Sequence, residues 1–164
     1  MVEKKSSDAP GGYTHVKGAK VLIIEARFYD QVADELLAGA VAELDAHGVA
    51  HDTISVPGAL EIPQALSAAT PLFEDGVYRG AIALGCIIRG ETGHYDIVCT
   101  NANHWLMDVA INSMIPVGNA ILTVETMEQA MERARGGPQG KGGDAVRACL
   151  SLIDIQNRFA EQLV

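Results

Sequence analysis

The chain lacks long apolar runs, an excess of positive charge, and cysteines in any regular spacing. Each shortage removes a class of protein. Nowhere in the 164 residues does an apolar stretch approach the ~20 residues that a membrane-spanning helix needs. Lysine and arginine number 12 against 21 acidic residues, a net charge of −9. A protein that grips phosphate backbones carries a basic stripe, so no nucleic-acid partner is expected. Three cysteines, Cys86, Cys99 and Cys149, follow no framework spacing, and an odd count points to reduced thiols in a cytoplasmic protein. His15, His47, His51 and His104 show no ligand spacing, and neither H-E-x-x-H nor C-x-x-C occurs, so no metal is expected. G-x-G-x-x-G and the P-loop are also missing, which disfavours dinucleotide and nucleoside-triphosphate chemistry. Met1 to Gly18 is polar and has no apolar core of a signal peptide; it reads as a flexible tail before a single domain over residues 19–164.

What is present is enough for a core: 48% hydrophobic residues against 20% charged ones. Ala19 to Glu25 and Gly80 to Ile88 are short continuous apolar runs, the pattern of strands buried on both faces. Asp52 to Val56 and Pro116 to Val124 are further strand candidates. Between them the period changes. Val32, Leu36, Ala40 and Leu44 recur at helical spacing within Asp30 to His47, and Gly48 stops the run. Glu61 to Thr70 reads as a helix with Pro63 in its first turn, and Tyr95 to Ser113 as another through Val98, Ala102, Trp105, Val109 and Ala110. Met127 to Arg135 is a short helix and Gly136 to Gly143 a glycine-rich linker. Asp144 to Leu163 is an amphipathic helix with Ala145, Cys149, Leu152, Phe159 and Leu163 inward. Alternating strands and helices predict a three-layer α/β/α sandwich, flavodoxin-like, around a central four-stranded parallel sheet. Ligands in such folds bind beyond the carboxyl ends of the strands.

Four loops then hold the candidate chemistry. Arg89-Gly90-Glu91-Thr92-Gly93-His94 leaves the third strand and opens a helix. Its glycines permit a tight turn, the helix-start amides attract an anion, Thr92 can donate a hydroxyl, and His94 can exchange protons. The same residues fit an ordinary βα turn with a surface histidine equally well. After the second strand, Glu61 in Val56-Pro57-Gly58-Ala59-Leu60-Glu61 can accept from hydroxyls or merely suit a helix start. Phe28 after the first strand can stack on a flat ring or belong to the core. Arg133 and Lys141 can bind phosphate or be solvated cations.

Taken together, Ala26-Arg27-Phe28, Val56 to Pro63, Leu84 to His94, and Glu128 to Ala134 followed by Gly140-Lys141-Gly142 resemble lumazine synthases, in order and with compatible spacing. The resemblance implies condensation of 5-amino-6-(D-ribitylamino)uracil with 3,4-dihydroxy-2-butanone 4-phosphate, giving 6,7-dimethyl-8-ribityllumazine, phosphate and water. This is the penultimate step of riboflavin biosynthesis. It also implies roles. Phe28 stacks on the pyrimidine; Ala59, Leu60 and Glu61 hold the ribityl chain; Cys86, Ile87 and Ile88 line the ring pocket. Glu91 and Thr92 hold phosphate together with Arg133 and Lys141, and His94 carries protons. Two positions depart from many members: Tyr29 stands in place of asparagine, and Asn119 in place of an aromatic, where its amide can meet the ring edge. The implied chemistry needs proton transfers and no cofactor. The implied assembly is a pentamer, alone, paired as a decamer or closed into a sixty-subunit capsid, with riboflavin synthase as a pathway partner. The alternative on the same fold is a catalytically weakened lumazine- or flavin-binding protein.

Overall fold

The computed structural model describes residues 12–164. The tail expected over Met1 to Gly18 falls outside them through residue 11. Its remainder lies against the fold: Val16 is buried, and the Tyr13 hydroxyl donates to the Arg147 carbonyl at 3.2 Å.

The two continuous apolar runs become the inner strands, β1 (Lys20–Ala26) and β3 (Gly80–Ile88). Their side chains meet helices on both sides, so neither face needs polar residues. The outer strands are β2 (Ala50–Val56) and β4 (Val117–Val124), and the order is β2-β1-β3-β4, all parallel. This is the four-stranded parallel sheet of a flavodoxin-like sandwich. The register aligns Ala26 with Val56, Glu25 with Leu84 and Ile88 with Val124, so all four carboxyl ends lie on one edge and β3 and β4 run three residues past β1 and β2. α1 (Asp30–Ala46), α4 (Met127–Ala134) and α5 (Lys141–Glu161) cover one face around Leu36, Leu44, Ile82 and Leu150. The other face carries α2 (Glu61–Glu74) and α3 (His94–Asn112) around Ile62, Leu66, Ala102 and Leu106. Among the described residues no helix is long and apolar enough to cross a membrane.

Four sequence expectations are corrected. α2 runs beyond Thr70 to Glu74, through Pro71. Proline removes one amide hydrogen bond but has a helix-compatible φ, so the last turn closes and stops only at Gly76, at φ 74°. The linker over Gly136 to Gly143 is instead a 3-10 turn at Gly137–Gln139 followed directly by α5. Gly142 and Gly143 form the first turn of α5 because a Cβ there would lie 2.1 Å from the Leu36 carbonyl oxygen and 2.0 Å from that of Pro138. The buried face of α5 is Ala145, Val146, Cys149, Leu150 and Ile153, whereas Leu152, Phe159 and Leu163 are exposed. The helix stays amphipathic, but Leu152 lies on its outer face beside buried Leu150 and Ile153, and Phe159 and Leu163 rim an open groove with Phe73 and Met114. Trp105 of α3 is likewise exposed, at 52%.

Candidate active site

Where the strands end, three loops enclose a cavity of about 320 Å³. The first loop is short. Only Arg27, Phe28 and Tyr29 separate β1 from α1, and the Arg27 amide extends the sheet by donating to the Val56 carbonyl at 3.1 Å. Phe28 is 70% exposed, and its ring meets that of Tyr29 edge-on at 5.0 Å. An exposed aromatic at the lip of a cavity is available for stacking on a flat ligand.

The second loop follows β2. Gly58 and Ala59 accept from the amides of Glu61 and Ile62, each at 3.2 Å, which turns the chain into α2. A Cβ on Gly58 would lie 3.1 Å from a Glu61 carboxylate oxygen, so glycine leaves room for that side chain beside the loop. No side chain caps the start of α2.

The third wall is the end of β3 and the turn to α3. Cys86, Ile87 and Ile88 form apolar lining, and Gly90, Thr92 and His94 continue it. Burial pushes the Cys86 thiol from its ordinary 9.0 up to about 11, so it is a neutral apolar group near pH 7 and not a nucleophile. Burial also raises Tyr29, with Cys86 as the second cause. His94 is exposed at the first position of α3, and its amide donates to Thr92 Oγ1 at 3.4 Å. Gly93 caps that helix without a side chain, so first-turn amides remain for an anion. Arg89 braces the turn. Its guanidinium lies 4.1 Å from the centroid of the Tyr95 ring, and its Nε meets Glu125 at 3.0 Å.

Nine of the residues singled out from sequence thus line one space: Phe28, Ala59, Leu60, Glu61, Cys86, Ile87, Ile88, Thr92 and His94. Glu91 lies on the same turn, exposed, but not in the wall. Asn119 pairs with Ala83 in the sheet, below the level of Cys86, and its amide donates to Asn103 at 2.8 Å. Arg133 on α4 and Lys141 on α5 belong to helices on the sheet face away from α2 and α3. Arg133 donates to the Gln129 carbonyl at 3.0 Å, and Lys141 pairs with Asp144 at 3.3 Å. Gly58, Tyr95 and Val98 line the cavity without having been picked out as site residues. For the last two the signal was present: they sit beside and one turn beyond His94, on a helix already placed at the site.

A parallel sandwich with an exposed aromatic ring, a free-amide turn and a histidine around one strand-end cavity is the plan of a flavodoxin-like enzyme for small polar molecules. The family model for 6,7-dimethyl-8-ribityllumazine synthase matches residues 18–157. A protein of Rhodopseudomonas palustris named 6,7-dimethyl-8-ribityllumazine synthase 1 is 52% identical over 150 residues, covering 90% of this chain and 92% of its own. A 6,7-dimethyl-8-ribityllumazine synthase of Azorhizobium caulinodans is 51% identical over 160 residues, covering 96% and 98%. Another, from Methylorubrum populi, is 49% identical over 157 residues, covering 94% and 93%. The chain belongs to the 6,7-dimethyl-8-ribityllumazine synthase family, as an enzyme of the transferase class.

Proposed function

We propose that the ribitylaminouracil and the butanone phosphate condense in this cavity, with Phe28 stacked on the pyrimidine and Glu61 accepting from the ribityl hydroxyls. The observation that carries the reading is convergence: residues from three separate loops, each ambiguous alone, surround one space of about 320 Å³. Apolar Cys86, Ile87 and Ile88 exclude water from the ring, and Thr92 with the open amides of α3 takes the phosphate. His94 moves protons during imine formation, phosphate loss and ring closure. Holding two reactants together supplies much of the rate, and a histidine adds roughly 10²–10⁴.

The cavity wall contains no lysine or arginine. A phosphate dianion there needs a cation from elsewhere, and Arg133 forms no salt bridge among the described residues. α3 also leaves Ile97, Trp105, Met107 and Ile111 exposed, an apolar surface suited to self-association. These features support self-association, read as a pentamer in which Arg133 and Asn119 complete a neighbour's site and Lys141 adds positive potential; stacking into decamers or closing into a capsid is a further step. Reduced thiols and the acidic surface fit a cytoplasmic location. Turnover with both substrates, followed at the lumazine absorbance and paired with native mass measurement, tests the reading. A folded pentamer without turnover would sink it.

A further inference from the structure

Phe28 poses a physical problem. Its ring is 70% exposed and touches one other ring, so burial does not hold it. A mobile ring must be ordered when a ligand stacks on it, and that ordering weakens binding. The loop carrying it needs an anchor of another kind.

Arg27, immediately before it, has one. Its Nη1 donates to both oxygens of Glu25 at 3.3 and 3.1 Å, Nε to Asp30 at 3.1 Å, and Nη2 to Asp34 at 2.5 Å. Glu25 is 4% exposed near the end of β1, and also accepts from the Ser55 hydroxyl of β2 at 2.8 Å. One planar guanidinium therefore joins β1, β2 through Glu25, and two turns of α1, with Phe28 and Tyr29 strung between the anchored ends. A fork of fixed donors can do this; a lysine ammonium can neutralise charge but cannot reach three carboxylates in one plane. The chemistry described for the cavity does not use this cluster.

We propose that Arg27 is the positioning residue for Phe28: its clamp on Glu25, Asp30 and Asp34 holds the loop so that the ring stands ready to stack on the aminouracil. The proposal rests on the assignment of Phe28 to that substrate. Positioning predicts a selective effect. R27K keeps a cation beside Glu25 but loses the fork, and D34N removes one exposed arm while leaving Glu25 paired, so the fold survives even where R27K weakens it.

The test is steady-state kinetics on the assembled enzyme with F28A, R27K, D34N and the doubles R27K/F28A and D34N/F28A. R27K and D34N each raise the KM for the aminouracil about three- to tenfold, with kcat at saturation and the KM for butanone phosphate nearly unchanged. F28A has a large effect in the wild-type background and a smaller one, by about threefold or more, in either clamp variant. Additive effects of F28A and the clamp variants overturn the proposal alone. Full rescue of the KM by lysine overturns it too, since charge neutralisation of Glu25 would then suffice. An F28A enzyme with an unchanged aminouracil KM overturns both the proposal and the assignment of the ring.

Discussion

The buried cluster joining α1 to α5 offers the sharpest test of the packing. Arg147 and Glu43 have side-chain exposures of 7% and 10%, and Arg147 Nη1 lies 3.0 Å from Glu43 Oε2. The same guanidinium donates to the Pro138 carbonyl at 2.9 Å and to Asp144 at 2.7 Å. R147M has similar volume but no charge. It leaves the Glu43 carboxylate its contact with His47 at 3.0 Å but no arginine or lysine partner among the described residues. Removing one partner of a buried pair costs about 3–5 kcal/mol, because a desolvated charge is left behind. At about 2–4 °C per kcal/mol for a chain of this size, Tm falls by roughly 6–20 °C. Replacing both partners removes the stranded charge, so R147M/E43M recovers most of that loss. The assay is scanning calorimetry at one fixed protein concentration, since assembly also shifts Tm. A fall in R147M below about 3 °C, or a double variant as unstable as the sum of the singles, refutes the reasoning.

Three further outcomes are expected. His94→Ala retains measurable turnover, reduced by about 10²–10⁴, because positioning survives loss of the proposed proton carrier; complete inactivity in a folded, substrate-binding variant argues against that division of labour. Arg133→Ala mainly raises the KM for butanone phosphate, and an unchanged value removes its assigned role. The thiols of Cys86 and Cys149 are pushed up by burial to about 11 and about 12, from an ordinary 9.0. The folded state therefore keeps protons that the unfolded chain releases, so this stabilisation is complete below pH 9 and is lost as pH rises toward 11 and 12. Urea midpoints at pH 8 and pH 10.5 measure the fall, and C86A/C149A flattens it.

The sequence by itself determined the layer order, because each period is a direct record of what covers an element. Two-sided apolar runs made β1 and β3 inner strands, and a 3.6-residue repeat made Val32 to Leu44 one face of α1. It also marked Phe28, Glu61, Thr92 and His94 of the cavity wall, since polar, aromatic and titratable residues at strand ends stand out against an apolar core, whereas Ala59, Leu60, Cys86, Ile87 and Ile88 were legible only through the family resemblance. It did not determine where helix periodicity stops being useful. Leu152, Phe159 and Leu163 keep helical spacing but are exposed, while Val146, Leu150 and Ile153 of the same helix are buried, and only packing decided which stripe faces the sheet. Nor did it show why Gly142 and Gly143 are glycine, which depends on α1 backbone and the Pro138 turn passing within 2.1 and 2.0 Å of where a Cβ would sit. The grouping of ambiguous residues was also a tertiary fact. Phe28, Glu61 and His94 are far apart in the chain, and the parallel arrangement that points the carboxyl ends of β1, β2 and β3 to one edge is what brings them to one space. That same arrangement holds Asn119 below the cavity and leaves Arg133 on the far face, because a strand's position along the sheet and a helix's side of it are fixed by packing and not by spacing in sequence.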